Sequence, residues 1–193
     1  MLVSTPPPPE IMATLDRGER VIWSGQPRQG LMLRGIDAFA IPFGLLWTSV
    51  PLFGAVAALM GPKSDPFALV PTIPFILIGL YLVIGRFFID AGQRRRTFYA
   101  LTDERILIVS GLSSRNVRSL SLRTLDQVDV SARASGQGTI TFGRSPFGSF
   151  ALPGWPGMKG YQSPMFEMIP DVTAVAKLIR DAQRAVNPPP ARA

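Results

Sequence analysis

The chain changes its hydrophobic period sharply along its length. Between Ala38 and Met60 it runs for 23 residues without a charged side chain, and between Phe67 and Gly85 for another 19. Phe87, Phe88 and Ile89 carry the second run past Arg86. A helix of the first length spans about 34 Å, enough to cross a hydrocarbon core of about 30 Å with some tilt. The spacer "GPKSDP" (61–66) holds a glycine, two prolines and two charges, and reads as a turn. The pattern predicts a transmembrane hairpin, with one helix over 38–60 and the other over 67–89. Pro42, Pro51, Pro71 and Pro74 would kink or break soluble helices, whereas membrane helices tolerate proline better. Apart from Arg86 at its end, the hairpin holds no Asp, Glu, Lys or Arg inside either span. A proton relay or ion path needs such a group, so transport by this chain alone is not expected.

Beyond Gly92 the pattern shortens to alternation. "TFYALT" (97–102), "RILIVS" (105–110), "VRSLSL" (117–122), "QVDVSA" (127–132), "GTITF" (138–142) and "MFEMI" (165–169) have strand length and strand composition, and "SFAL" (149–152) is a weaker candidate. Asp103-Glu104 reads as a two-residue hairpin loop, and Gly136-Gln137-Gly138 as a further turn. A glycine pair without a third glycine or a following helix is no nucleotide loop. From Asp171, a candidate N-cap, Val172, Val175, Ala176, Ile179, Ala182 and Val186 share one helical face, and Asn187 with three prolines ends it. Ahead of the hairpin, Val21 and Trp23 alternate between Gly18 and the Gly25-Gln26-Pro27 turn, which fits a strand.

Charge and composition narrow the chemistry. There is no histidine and no cysteine, which removes the commonest general base, the commonest metal ligand, thiol catalysis and disulfides. A Ser–Lys dyad is the hydrolase chemistry left, using Lys63, Lys159 or Lys177; Lys63 falls in the outer turn and Lys177 on an exposed helical face, and no catalytic residue and no cofactor is expected. The net charge of +7 lies wholly in residues 91–193, where 14 basic residues face 7 acidic ones. A basic unit next to a neutral apolar segment points to a membrane surface. Nucleic acid is not expected as a partner, because neither a stacking pattern nor a helix-turn-helix accompanies the charge.

"YALTDERILIVSG" (99–111), with "GTITF" downstream and "IPD" opening the last helix, resembles the bacterial pleckstrin-homology-like (PH-like) domain family of membrane proteins. "GERVIWSGQP" (18–27) is similar to the segment that many members carry before a two-helix hairpin. The resemblance covers roughly residues 11–187 and implies a seven-stranded split barrel capped by the C-terminal helix. Eukaryotic PH domains bind phosphoinositides through a lysine-rich first strand-loop-strand. This chain departs from that pattern, with Arg115 and Arg118 near a comparable loop and no lysine there.

The expected organisation is a proline-rich tail (1–10), an N-terminal cytoplasmic segment (11–37), helices over 38–60 and 67–89 joined by 61–66, a PH-like domain (94–187) and a short tail (188–193). The hairpin puts both termini on one side. Arg28, Arg34, Arg86 and Arg94, Arg95 and Arg96 flank the spans there against Lys63 at the turn, so the termini are expected in the cytoplasm of a bacterial inner membrane. Arg34, Arg86, Arg94, Arg95 and Arg96 are expected to meet anionic lipid headgroups. Phe147, Phe150, Trp155 and Tyr161, in the Gly- and Pro-rich stretch 143–164, are a candidate surface for a protein partner. The function expected is scaffolding or regulation at the membrane face, without catalysis. The rival reading is an accessory subunit of a membrane enzyme or transporter whose chemistry lies on a partner chain. A homo-oligomer is compatible with both readings.

Overall fold

The computed structural model describes residues 7–61, 66–111, 115–143 and 163–188. They form two compact units: one holds the chain up to Gly30 and again from Gly92 onward, and the other begins at Leu31 and ends at Ala91.

Among the described residues the first unit holds two antiparallel sheets, a C-terminal helix and a single helical turn near its start. Strands β1 (Val21–Gly25), β2 (Phe98–Thr102), β3 (Arg105–Ser110) and β4 (Asn116–Ser121) form the first sheet in that order. Strands β5 (Val128–Ala132), β6 (Gly138–Phe142) and β7 (Met165–Ile169) form the second. The alternating segments thus become strands within a residue or so of their expected ends. One boundary changes. Trp23 pairs with Leu101, and Gly25 with Tyr99, so the segment ahead of the hairpin is the edge strand of the main sheet. The domain therefore does not start at residue 94, and 11–37 is not a separate segment: the hairpin is an insertion between β1 and β2. Among the described residues seven strands are reached through β1, while 149–152 lies outside them. Arg115 and Arg118 accordingly belong to the β3–β4 connection and to β4, and the first strand-loop-strand of the fold is the one that carries the hairpin.

The core sits between the sheets. Phe166 on β7 meets Trp23 at 5.4 Å, Tyr99 at 4.7 Å and Phe142 at 5.0 Å between ring centroids, joining both sheets through one side chain. Helix α5 (Val172–Val186) covers this core with Val172, Val175, Ala176, Ile179 and Ala182, as its apolar face predicts. Asp171 sits at the N-cap position, but its side chain makes no cap. It holds a left-handed backbone (φ 47°), and its carbonyl accepts the Ala174 and Val175 N–H groups. The Val172 N–H instead bonds the Gly136 carbonyl, docking the helix start onto the β5–β6 turn. Gly138 is required at that crossing, because a Cβ there would collide with the Ser131 carbonyl and stand 2.6 Å from Val172 Cγ1.

The main sheet is buried on its second face too. A single helical turn, α1 (Pro9–Met12), drops Ile11 onto Ala100, Leu107 and Val109. Two-sided burial explains why Ile106 to Val109 are apolar without interruption.

The second unit is an antiparallel helical hairpin. Helix α2 (Asp37–Met60) is followed by a 3₁₀ stretch (Pro66–Thr72), α3 (Ile73–Leu80), a π-helical turn (Tyr81–Gly85) and the start of α4 (Arg86–Arg95). Asp37–Met60 and Leu69–Arg95 are each long and apolar enough to cross a membrane. Glycines sit where the two helices touch. A Cβ on Gly79 would collide with the Thr48 hydroxyl, and one on Gly44 would stand 2.8 Å from Val83 Cγ2. Small residues that let backbones approach are the usual means of packing helices in lipid.

Candidate functional site

The arginines marked out by the sequence divide by environment. Arg86 bonds Asp37 at 2.6 Å across the hairpin, and Arg34 lies 3.4 Å from Asp90. All four side chains are buried or nearly so, and the Arg34 N–H also bonds the Asp37 carboxylate. Arg94, in the first unit, is 1% exposed and donates to the Gly30 carbonyl at 2.6 Å, while Gln29 Nε2 donates to the Arg94 carbonyl. Burying a guanidinium costs several kcal/mol unless it is paired, and these three are held inside the protein by partners of the right kind. Arg34, Arg86 and Arg94 are thus each engaged by a protein partner. Arg95 and Arg96 are exposed.

Strand register shows what surrounds those two. Gly25, Phe98, Ser110 and Asn116 lie at one end of the main sheet, through the pairs Gly25–Tyr99, Phe98–Val109 and Ser110–Asn116. Arg28 follows this end, Arg95 and Arg96 precede it, and Arg115 flanks it, all four exposed. It is also the end at which the chain leaves for the hairpin and returns. At the other end are Asp16, Glu19, Asp103 and Glu104. The sheet is thus basic at one end and rich in carboxylates at the other, a polarity invisible in the linear order.

The carboxylate end explains the signature residues. Arg105 Nε donates to Glu19 Oε1 at 2.9 Å, and its Nη2 donates to Glu19 Oε2 at 2.8 Å and Asp16 Oδ2 at 2.7 Å. The Thr102 hydroxyl donates to Glu19 Oε1 at 2.7 Å and accepts the Arg105 N–H at 3.0 Å. Asp103 Oδ1 accepts the Arg20 N–H at 2.9 Å, and the Tyr99 phenol accepts the Glu167 N–H at 3.1 Å. Burial alone would raise the Glu19 carboxyl pKa. The Arg105 hydrogen bond, the Asp16 N–H and the Thr102 hydroxyl outweigh it and bring the pKa down to about 2. The same bond to Glu19 raises the Arg105 pKa. "GERVIW" and "YALTDER" are thus two halves of one staple, structural rather than chemical. Sequence reading singled out neither Glu19 nor Asp37 and Asp90, since a charged residue does not announce its partner.

An open polar cleft of about 580 Å³ lies beside the staple, lined by Asp16, Asp103, Glu104, Arg105, Ser119, Ser121 and Arg123 with the end of α5. Asp16 and Arg105 are bonded to each other there. Among the described residues no cluster of carboxylates could hold a metal ion. Phe147, Phe150, Trp155 and Tyr161 lie outside the described residues.

Two antiparallel sheets enclosing one core and closed by a C-terminal helix define a PH-like domain. The family model for the bacterial PH domain matches residues 45–183, and the chain belongs to that family. The match starts inside α2, leaving out β1, which the structure returns to the domain. The chain is also similar to an uncharacterised 23.7 kDa protein in the puhA 5′ region of Rhodobacter capsulatus, 24% identical over 198 residues, covering 93% of this chain and 86% of that one. No solved structure matches it.

Proposed function

We propose that this is a non-enzymatic, two-span protein of the bacterial cytoplasmic membrane that presents a cytoplasmic PH-like domain for scaffolding or regulation at the membrane face. The observation that carries this reading is the insertion of two long apolar helices between neighbouring strands β1 and β2. A segment inserted there leaves and re-enters one sheet, so a hairpin crossing twice keeps the domain on a single side. The helices are 11% buried over their most apolar windows, whereas core helices of a soluble protein are mostly buried. Arg95, Arg96 and Arg28 flank the chain where it leaves and returns, and basic residues next to membrane spans favour the cytoplasmic side and anionic headgroups. The absence of histidine and cysteine, and the use of Arg105 and Glu19 to hold strands together, favour a binding role over catalysis.

A reporter active only outside the cytoplasm tests the topology. Fused after Ala193 it is expected to be silent, and inserted at Ser64 it is expected to be active; the reverse pattern rules out the assignment. Purification in mild detergent tests the role. A stoichiometric enzyme or transporter partner would favour an accessory subunit instead.

A further inference from the structure

We propose that two copies of this chain join edge to edge through β5, with Asp129 of each copy opposite Arg133 of the other. The inference goes beyond the scaffold reading above and does not depend on it.

The two sheets have four outer edges. Those of β1 and β7 are irregular in register, and they meet, because the Arg28 N–H bonds the Met168 carbonyl. On β4, Ser119 and Ser121 line the polar cleft. β5 is different. It pairs with β6 through five consecutive positions without a bulge, and among the described residues it has no second neighbour. It contains no proline and no lysine, the usual devices that blunt an edge. Helix α5 is tied to the chain on either side of β5, by Gln183 to the Leu125 carbonyl and by the Val172 N–H to the Gly136 carbonyl. Between these ties Val130 is 41% exposed, although it lies opposite Ile140, which is fully buried.

Two bonds fix which groups point outward. The Gly143 N–H bonds the Gln127 carbonyl, and the Arg133 N–H bonds the Gln137 carbonyl. Antiparallel ladders alternate, so Gln127, Asp129, Ser131 and Arg133 bond β6. Val128, Val130 and Ala132 turn their N–H and carbonyl groups to the open side. Such a row is what an added strand bonds to.

Charge selects the occupant. Asp129, Ser131 and Arg133 share the face turned away from the core, and all three are exposed. Asp129 and Arg133 are the charged residues between Gln127 and Gln137. Asp129 accepts a hydrogen bond from Gln127, and among the described residues neither charge enters an ion pair. A two-fold axis through Ser131 sets Asp129 of each copy opposite Arg133 of the other, and opposite charges facing each other across a ladder stabilise it. In the same register Val130 exchanges its backbone bonds with Ala132 of the other copy, and each covers part of the other. An axis through Asp129 would set two carboxylates together, and one through Val130 would leave both charges facing Ser131 or Gln127. The strand is therefore complementary to itself, as a two-fold contact requires.

The test uses the full chain in uncharged detergent. The chain has no cysteine, so Ser131→Cys supplies a single thiol, next to the axis. Residues facing each other at that position have Cα atoms about 4.5 Å apart, within disulfide reach. Mild oxidation of Ser131→Cys is expected to give a covalent dimer, and Ser119→Cys on β4 at least tenfold less. The contact is small, so the yield is expected to rise with concentration and fall with salt. Added to Ser131→Cys, Asp129→Arg or Arg133→Asp alone is expected to cut the yield several-fold, and the two together to restore it. The doubly exchanged chain is expected not to cross-link with the unexchanged one, since their edges set like charges together. Absence of the Ser131→Cys dimer, equal cross-linking through Ser119→Cys, single exchanges without effect, or free mixing of exchanged and unexchanged chains would each overturn the proposal. None of these readouts depends on membrane topology, so the reporter fusions still test the wider reading separately.

Discussion

Glu19 and Arg105 lie 86 positions apart and join in a two-pronged ion pair, with Arg105 Nε and Nη2 at 2.9 and 2.8 Å from the two carboxylate oxygens. The pair fastens the chain entering β1 to the β2–β3 hairpin, and the buried Thr102 hydroxyl fixes the carboxylate from a third side. Fork-to-carboxylate geometry is specific to arginine, so Arg105→Lys is expected to lose most of the contact although the charge is kept.

This pair has a pH signature. The Glu19 pKa falls from an ordinary 4.5 to about 2 in the fold. A carboxylate with a lowered folded pKa contributes stability that is complete above its ordinary value and is lost as pH drops through the folded value. Acidification from pH 5 to pH 2 is therefore expected to remove up to about 3 kcal/mol through this group. Denaturant midpoints across that range check it. Glu19→Gln should lower stability at pH 7 and flatten the dependence below pH 5.

Gly138 gives a packing prediction. Gly138→Ala places a methyl against the Ser131 carbonyl and Val172, where backbone and helix start both have to shift. A loss of about 2 kcal/mol or more is expected, read as a lower melting temperature. Gly136→Ala meets no neighbour, but its backbone lies at φ 79° and costs about 1 kcal/mol for that reason alone.

Much of this fold was legible in local pattern. The strands at 105–110, 138–142 and 165–169 and the apolar face of α5 follow from spacing, since each period reports which face is buried. The place of β1 did not follow, because pairing across an insertion of about 70 residues leaves no trace in the spacing of either segment. The arginines were visible as charges, but Asp37, Asp90 and the Gly30 carbonyl, which hold Arg86, Arg34 and Arg94, appear only when the chain is folded. Asp171 had the right identity for a cap and the wrong backbone angle.

The insertion can be tested by excision. Joining Gly30 directly to Gly92 leaves β1 and β2 connected by a short loop, and the product is expected to fold as a soluble domain. A fragment that starts at Gly92 lacks Trp23 and Glu19 and is expected to be largely unfolded. Far-ultraviolet dichroism and amide dispersion separate the two outcomes; equal folding would show β1 to be dispensable.

In the excised chain, Arg95→Gln with Arg96→Gln is expected to weaken binding to anionic vesicles by about 2 kcal/mol at low salt, and the paired lysine variants to preserve it. Arg94→Gln is expected to lower the melting temperature instead, since that guanidinium is buried and bonded to Gly30. A vesicle defect without a stability defect for Arg94→Gln would reverse this division of roles.

The break between β1 and β2 also sets a timetable for the newborn chain. β1 leaves the ribosome well before its partner, and at about 5–20 residues per second the intervening 70 or so take several seconds. Until β2 follows, β1 has no neighbour in its sheet, and Glu19 waits for Arg105. Under the topology proposed above, helix insertion and domain folding are then successive steps of one assembly line.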